Sequence, residues 1–205
     1  MSLNISPRLV VGISGASGIQ YGLTILRLLQ ATTAETHLVI SKAAELTAKL
    51  ELNLSAKEIG ALANHVHPVG NVGATIASGS FQTEGMIIAP CSIRTMSEIS
   101  TGVTSSLLSR AADVTLKERR PLVLMVRETP LHTGHLRTMT TLSEIGAVIA
   151  PPVPQVYANL TSIDDMIEQS CARTLDLFRL DRFGIELPVR RWDGGQSPKS
   201  SVTQV

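Results

Sequence analysis

Short apolar runs alternate with stretches of helical periodicity along most of the chain. The runs cover residues 9–13, 37–40, 86–89, 122–126 and 147–149. Continuous apolar runs of this length, bounded by glycine, proline or charged residues, are typical of strands buried in a parallel sheet. Helical patterns are predicted at 19–29, 43–50, 55–63, 93–100, 104–118, 131–145 and 163–183. Such alternation predicts an α/β fold, a three-layer α/β/α sandwich with a Rossmann- or flavodoxin-like parallel sheet.

The size and composition of the chain are those of one globular domain. It has 205 residues, of which 43% are hydrophobic and 17% are charged. We expect a single domain over residues 1–187 and a polar, mobile C-terminal tail over 188–205. Residues 65–85 are polar and rich in glycine, and they are predicted to form a long functional loop.

Charge and composition exclude several classes of partner. The net charge is +1 and aromatic residues make up 3%, which argues against binding to nucleic acid or to a membrane surface. No uninterrupted apolar stretch reaches the length that spans a bilayer. Cys91 and Cys171 lack the spacing of metal ligands and indicate a reducing compartment, so a cytoplasmic location is expected.

A glycine-rich loop, Gly-Ile-Ser-Gly-Ala-Ser-Gly, joins the first strand to the first helix at residues 12–18. Glycines allow a ligand to approach the backbone closely, and a helix N-terminus attracts anions. The spacing differs from the dinucleotide and P-loop motifs, and Ser41 and Lys42 stand where a ribose-binding acid would follow the second strand. The loop therefore indicates either an anionic ligand other than a dinucleotide, or a tight turn without a ligand.

Five loops follow the predicted strands, at residues 14–18, 41, 90–95, 127–130 and 151–157. Ligands of open α/β sheets bind beyond the carboxyl ends of the strands, so we expect these loops to converge on one crevice. Arg127 and Glu128 end a buried strand, where an anionic ligand would explain the guanidinium. Arg110 and Lys117 share one helix face with Asp113 between them, which allows either a surface ion-pair ladder or a grip on phosphate.

The histidine pairs are predicted to be structural. His132 and His135, like His65 and His67, have no evident third ligand, so hydrogen-bonded histidines are favoured over a metal site. Cys91 is predicted to be a buried thiol rather than a nucleophile, because no basic partner for it is evident.

Taken together, five stretches resemble the UbiX family of flavin prenyltransferases. They are GISGASG, ETHLVISKAAELTAKLE, ASGSFQTEGMIIAPCSIRT, RAADVTLKERRPLVLMVRETPLHTGHL and EIGAVIAPPVP. The resemblance implies transfer of a dimethylallyl group from dimethylallyl monophosphate or diphosphate to N5 and C6 of reduced FMN. It further implies no metal, a homododecamer whose sites are shared between subunits, and two functional partners: a flavin reductase and a UbiD-type decarboxylase that uses the prenylated FMN.

The resemblance also implies roles for individual residues. The implied FMN contacts are Gly15, Ala16, Ser17, Ser41, Ser92, Ile93, Arg94, Thr95 and Arg127. The implied ligands of the prenyl phosphate are Arg110, Lys117, Tyr157 and Arg173, and the residues implied in proton transfer are Ser17, Glu51 and Glu128.

Two departures from the family pattern stand out. Members often carry Tyr-His-Arg-Pro-Gln in the last loop, whereas residues 157–161 read Tyr-Ala-Asn-Leu-Thr, which leaves lid closure and the preferred phosphate donor open. Val72 stands where some members have a tryptophan. Two other functions remain as alternatives: a non-catalytic FMN carrier or decarboxylase subunit, and a flavin-dependent cysteine decarboxylase. The second lacks support here, because the chain has neither a histidine after the glycine loop nor a PxMNxxMW-like clamp.

Overall fold

Six parallel strands form one sheet in the order β3-β2-β1-β4-β5-β6 in the computed structural model, which describes residues 6–194. The strands are β1 (Arg8–Ile13), β2 (Glu35–Ile40), β3 (His65–His67), β4 (Met86–Cys91), β5 (Leu122–Val126) and β6 (Ala147–Ile149). The helices are α1 (Ile19–Gln30), α2 (Lys42–Leu52), α3 (Ala56–Gly60), α4 (Ile93–Ser100), α5 (Leu107–Lys117), α6 (Thr133–Glu144) and α7 (Ile163–Leu175). The predicted α/β sandwich with a parallel sheet is confirmed.

The two faces of the sheet carry separate apolar cores. Alternate side chains of the central strands point to opposite faces, so each strand contributes to both cores. One core joins the sheet to α1, α2, α3 and α7, and the other joins it to α4, α5 and α6. Burial on both faces explains why β4 and β5 are apolar throughout rather than alternating.

The strand order reverses between β1 and β4, which pair in parallel through Val10, Val11 and Gly12. Connections from β1 and from β4 leave in opposite directions at this point, so their loops separate and open a crevice beyond the carboxyl ends of the strands. The order is that of the Rossmann type of doubly wound sheet.

The segment predicted as one loop, residues 65–85, contains regular structure. His65–His67 form the edge strand β3, and Thr75–Ala77 form a 3₁₀ turn. The loop prediction is wrong for these residues because a three-residue strand gains its hydrogen bonds from β2, a partner distant in sequence. The last predicted helix is also too long: α7 ends at Leu175, and two 3₁₀ turns continue to Phe183.

The first part of the predicted tail is bound to α7 and to the 3₁₀ turn that follows it. Arg190 donates to both carboxylate oxygens of Asp165, at 2.7 and 3.0 Å, and Arg191 donates to Asp176 at 2.7 and 2.9 Å. The predicted mobility of residues 195–205 falls outside the described residues. Between residues 6 and 194, no helix has both the length and the apolar character needed to cross a membrane.

Candidate active site

The crevice at the strand-order reversal consists of two adjoining parts that share Gly15 and Ser92. One part, of about 420 Å³, is lined by Gly15, Ala16, Ser17, Ser92, Ile93, Arg127, Glu128 and Thr129. The other, of about 320 Å³, is lined by Gly15, Ser41, Lys42, Ala43, Val69, Ser92, Arg94, Thr95, Glu98, Ser105, Ser106 and Leu108. All nine residues predicted to contact FMN therefore lie around one crevice.

A buried serine joins the glycine loop to the loop that follows β4. The Ser14 hydroxyl donates to the carbonyl oxygen of Pro90 at 2.9 Å and accepts from the Ser92 amide at 2.7 Å. Ser14 is fully buried at the end of β1. The bonds fix the glycine loop against the loop after β4, so the two loops hold their separation without a ligand.

The glycine loop has no room for a side chain at Gly15. A Cβ atom built there would lie 2.4 Å from Cβ of Ala43 and 3.0 Å from its carbonyl carbon, well inside van der Waals contact. Glycine at this position thus brings the backbone of the loop against the start of α2. Gly18 has φ of 96°, in the left-handed region that favours glycine, and it begins α1.

The Glu51 carboxylate lies on the N-terminus of α1, beside the glycine loop. Its two oxygens accept from the Gly18 amide at 3.1 and 3.0 Å, and one of them also accepts from Ile19 at 3.1 Å. A carboxylate at a helix N-terminus satisfies amides that have no partner within the helix. Glu51 therefore holds the loop in place and brings an acidic group next to Ser17.

Three further helices begin at the crevice with a serine cap. Ser41 accepts from Ala44 at the start of α2, Ser92 accepts from Thr95 at the start of α4, and Ser106 caps α5. Free amides at helix N-termini carry partial positive charge and favour anions. The crevice is thus suited to a ligand that carries phosphate and many hydrogen-bond acceptors.

Arg127 and Glu128 form the wall beyond β5. The Arg127 amide donates to the Cys91 carbonyl at 3.0 Å, and Nε of its side chain lies 3.6 Å from the position that a Cβ atom on Gly18 would take. Burial raises the pKa of the neighbouring Tyr21, and the positive charge of Arg127 partly offsets this. Glu128 accepts from the Thr129 amide through Oε1 at 3.0 Å, while no hydrogen bond to Oε2 is found among residues 6–194.

The cations predicted to bind the prenyl phosphate lie elsewhere in the single chain. Arg110 donates to Asp113 at 2.8 Å, Lys117 pairs with Glu118, and Arg173 lies 3.6 Å from Asp176. Lys117 ends α5, about 16 Å along the helix axis from the capping serine at the crevice. In the described part of the chain, none of these three residues lines the crevice.

Tyr157 is likewise absent from the residues that line the crevice in the described chain. It belongs to a 3₁₀ turn after β6, is 43% exposed, and packs edge-on against Trp192 at 5.9 Å between ring centroids. The expectation that all five loops converge is therefore wrong for the last loop of a single chain. The reason is that β6, at the edge of the sheet, is two strands away from the order reversal.

His65, His67 and His132 each have a partner within the chain, and Cys91 is buried. His67 shares a 3.0 Å hydrogen bond with His37, His65 pairs with Glu35 at 2.8 Å, and His132 caps α6 by accepting from the Gly134 amide. Cys91 is fully buried, and burial raises its pKa to about 12, so the prediction of a buried thiol is confirmed.

Sequence reasoning missed four polar residues that line the crevice: Lys42, Glu98, Ser105 and Ser106. Lys42 lines it directly after Ser41, and Ser105 and Ser106 line it ahead of α5. The helix predicted from residue 104 concealed the two serines, because their role depends on α5 starting at Leu107. Ser106 and Ser109 form a capping box at the start of α5. The available sequence signal was a serine three residues before another serine, next to apolar residues.

Comparisons with known proteins agree with this geometry. The family model named Flavoprotein matches residues 3–175. The flavin prenyltransferase UbiX of Escherichia coli strain K12 is 56% identical over 191 residues, which cover 91% of this chain and 98% of that protein.

Two solved structures share the fold over nearly their full length. AnUbiX (PadA1), in complex with FMN and dimethylallyl pyrophosphate, is 47% identical with a TM-score of 0.87, and the match covers 93% of this chain and 99% of that one. A dodecameric FMN-dependent UbiX-like decarboxylase from Escherichia coli O157:H7 is 45% identical with a TM-score of 0.84, covering 91% and 100%.

Proposed function

We infer that the crevice is a site of prenyl transfer, since the chain belongs to the UbiX flavin prenyltransferases within the Flavoprotein family. The reaction joins a dimethylallyl group from a dimethylallyl phosphate ester to N5 and C6 of reduced FMN, and the product is prenylated FMN. The observation that supports this function is the meeting of the glycine loop, the Ser92 loop and the Arg127–Glu128 pair in one crevice.

The residues of the crevice suit FMN in shape and in charge. Glycine at residue 15 lets the loop pack against the start of α2, and the loop itself lines the crevice where a flat ring system or a phosphate would bind. The capped N-termini of α2 and α4 offer amides and the hydroxyls of Ser41 and Ser92 to the phosphate and ribityl oxygens. Arg127 supplies a cation that can bind the flavin's polar edge.

Reduced FMN, when bound, supplies the nucleophilic N5 and the carbon C6 at which the new ring closes. The protein must then hold the two substrates in line, exclude water from a developing allylic charge, and remove a proton from carbon. Glu128 is suited to proton transfer because its carboxylate borders the crevice and Oε2 has no hydrogen-bond partner in residues 6–194. Ser17 lines the crevice on the glycine loop, and Glu51 holds that loop in place through the Gly18 amide.

The phosphate-binding cations require more than one chain in this proposal. Arg110, Lys117 and Arg173 each face a carboxylate of their own chain, and they lie on α5 and α7 rather than at the crevice. Bringing them and Tyr157 to a leaving phosphate requires a neighbouring copy to place its helices over the open crevice. We therefore propose a homo-oligomer, a dodecamer like that of the E. coli O157:H7 relative, in which guanidinium and ammonium groups replace a metal ion at the phosphate.

The setting of the reaction follows from its substrates. We propose a flavin reductase as the supplier of reduced FMN and a UbiD-type decarboxylase as the user of the product. A cytoplasmic location is proposed because Cys91 and Cys171 are both free thiols, as in proteins of reducing compartments.

An anaerobic incubation tests the proposed function. The purified full-length protein is mixed with reduced FMN and dimethylallyl monophosphate, and the flavin is examined by mass spectrometry. A flavin that gains one five-carbon unit is the expected result. Tight FMN retention without a mass change, with monophosphate or diphosphate, would identify a flavin carrier instead. Loss of carbon dioxide from a cysteine peptide would identify a cysteine decarboxylase.

A variant of Glu128 tests its role in the reaction. Glu128→Gln keeps the size of the side chain but cannot accept a proton, so FMN should still bind while turnover falls about 100-fold or more. Glu144→Gln, at the exposed C-terminal end of α6, is the matched control and should retain full turnover. Unchanged turnover in Glu128→Gln would remove this residue from the mechanism.

A further inference from the structure

We propose that Glu35, His37 and His65 form a binding site for a divalent transition metal such as zinc, at the edge of the sheet and separate from the crevice. The three side chains come from the adjacent strands β2 and β3. Glu35 and His65 are the first residues of their strands, whereas the crevice lies beyond the carboxyl ends. The site thus has no part in the proposed prenyl transfer.

The strand register brings the three ligands together. Glu35 and His37 are two residues apart on one strand and therefore share a face of the sheet. His65 is the register partner of His37 in the parallel pair β2–β3. The sequence offered no third ligand for His65, because the two other side chains lie far from it along the chain, before the helices α2 and α3.

The donor atoms are close enough to share one ion. Glu35 Oε1 lies 2.8 Å from His65 Nε2 and 3.3 Å from His37 Nε2, and one ligand atom from each of the three residues lies within 4.8 Å of the others. Ligand atoms around a tetrahedral zinc, at bond lengths of about 2.1 Å, are about 3.4 Å apart. The rings of His37 and His65 are stacked, with 4.6 Å between their centroids, so the half-exposed side chain of His65 must rotate to direct Nε2 at a shared ion. Water would supply a fourth ligand.

His37 provides the second, independent observation. Its side chain is only 4% exposed, and Nε2 is buried without a hydrogen-bond partner in the described structure, since its contact with Glu35 lacks hydrogen-bond geometry. Its other ring nitrogen, Nδ1, is 3.0 Å from His67 Nε2. Burying a polar nitrogen without a partner is costly, and an ion between His37 and Glu35 would satisfy it.

Outer groups hold the ligands in orientation. Arg8 donates to Glu35 Oε2 at 3.0 Å, which leaves Oε1 for the ion, and His67 fixes the ring of His37. Phe81 packs edge-on against His37 at 5.0 Å between centroids and shields it from water. His65 is half exposed, so an ion can enter from that side. Two imidazoles and one carboxylate are a donor set that zinc accepts.

Metal binding would stabilise the short strand β3. This strand has three residues and lies at the sheet edge. An ion held by Glu35, His37 and His65 would join β3 to β2, and a ligand that binds only the folded state raises its stability.

Equilibrium dialysis of the metal-stripped full-length protein against Zn²⁺ tests the proposal. We expect one zinc per chain in the wild type and affinity more than about tenfold weaker in His65→Gln. His132→Gln is the matched control, because His132 contacts His135 in the other histidine pair, and it should bind zinc like the wild type. Zinc should raise the thermal midpoint of the wild type and of His132→Gln, but not that of His65→Gln.

A ligand-preserving variant separates lost ligation from damaged folding. His65→Cys retains a zinc ligand and should restore binding that His65→Gln loses. Wild-type affinity in His65→Gln, loss of binding in His132→Gln, failure of His65→Cys to restore binding, or less than one zinc per wild-type chain would each overturn the proposal. Prenyl transfer is measured separately, and its presence or absence in zinc-free protein does not bear on this site.

Discussion

Replacing Ser14 with alanine is expected to lower the thermal stability of the protein and to weaken the connection between two loops of the crevice. The hydroxyl of Ser14 connects the Pro90 carbonyl and the Ser92 amide, and the residue is fully buried. The Pro90 carbonyl keeps its second bond, from the Ser14 amide at 3.2 Å, whereas the Ser92 amide loses its partner. One buried donor without a partner costs about 1–3 kcal/mol. For a chain of this size, about 2 kcal/mol corresponds to a thermal midpoint lower by roughly 4–8 °C.

The assay compares thermal midpoints and FMN affinity at one protein concentration, because an oligomer's midpoint depends on concentration. Ser14→Ala should lower both quantities, since the Ser92 loop is no longer fixed against the glycine loop. Ser78→Ala is the control. Within residues 6–194 the Ser78 hydroxyl bonds only to Ser80, on the exposed surface, so the thermal midpoint should change by less than about 1 °C. A Ser14→Ala midpoint and affinity equal to the wild type would refute the reasoning.

Three other predictions concern the crevice and its surroundings. Gly15→Ala should weaken FMN binding about tenfold or more, because the new Cβ would overlap the start of α2, whereas Gly70→Ala, in open space, should bind FMN normally. Cys91 should resist iodoacetamide at pH 8 in the native protein and react in urea; labelling of the native protein would contradict the pKa of about 12. Arg110→Ala should raise the KM for dimethylallyl phosphate and leave the affinity for FMN unchanged. Arg179→Ala, which removes an exposed ion pair, should change neither the KM nor the FMN affinity. An unaltered KM in Arg110→Ala would remove Arg110 from the phosphate site.

Most of the secondary structure could be predicted because the signals are local. The strands Leu122–Val126 and Ala147–Ile149 and the helix Ile93–Ser100 have the bounds that the sequence predicts. Continuous apolar runs, helical spacing and a serine cap are properties of neighbouring residues, so no distant partner is needed to recognise them.

Predictions that depended on distant partners were less successful. The edge strand His65–His67 is too short to show a period, and it forms because β2 lies beside it. The sequence predicted that five loops converge on one crevice. Four of them do, whereas the loop at residues 151–157 does not, because the strand order places β6 at the edge of the sheet.

The sequence by itself determined the layers, the buried strands and the chemical character of the loops, because hydrophobic periodicity and capping act over a few residues. Only the tertiary structure decided which groups meet. It placed Ser14 between two loops, gave His65 the partners Glu35 and His37, and left Arg110 and Lys117 away from the crevice of their own chain. The physical reason is that strand order and register fix distances between residues far apart in the chain, and such distances leave no periodic trace in the sequence.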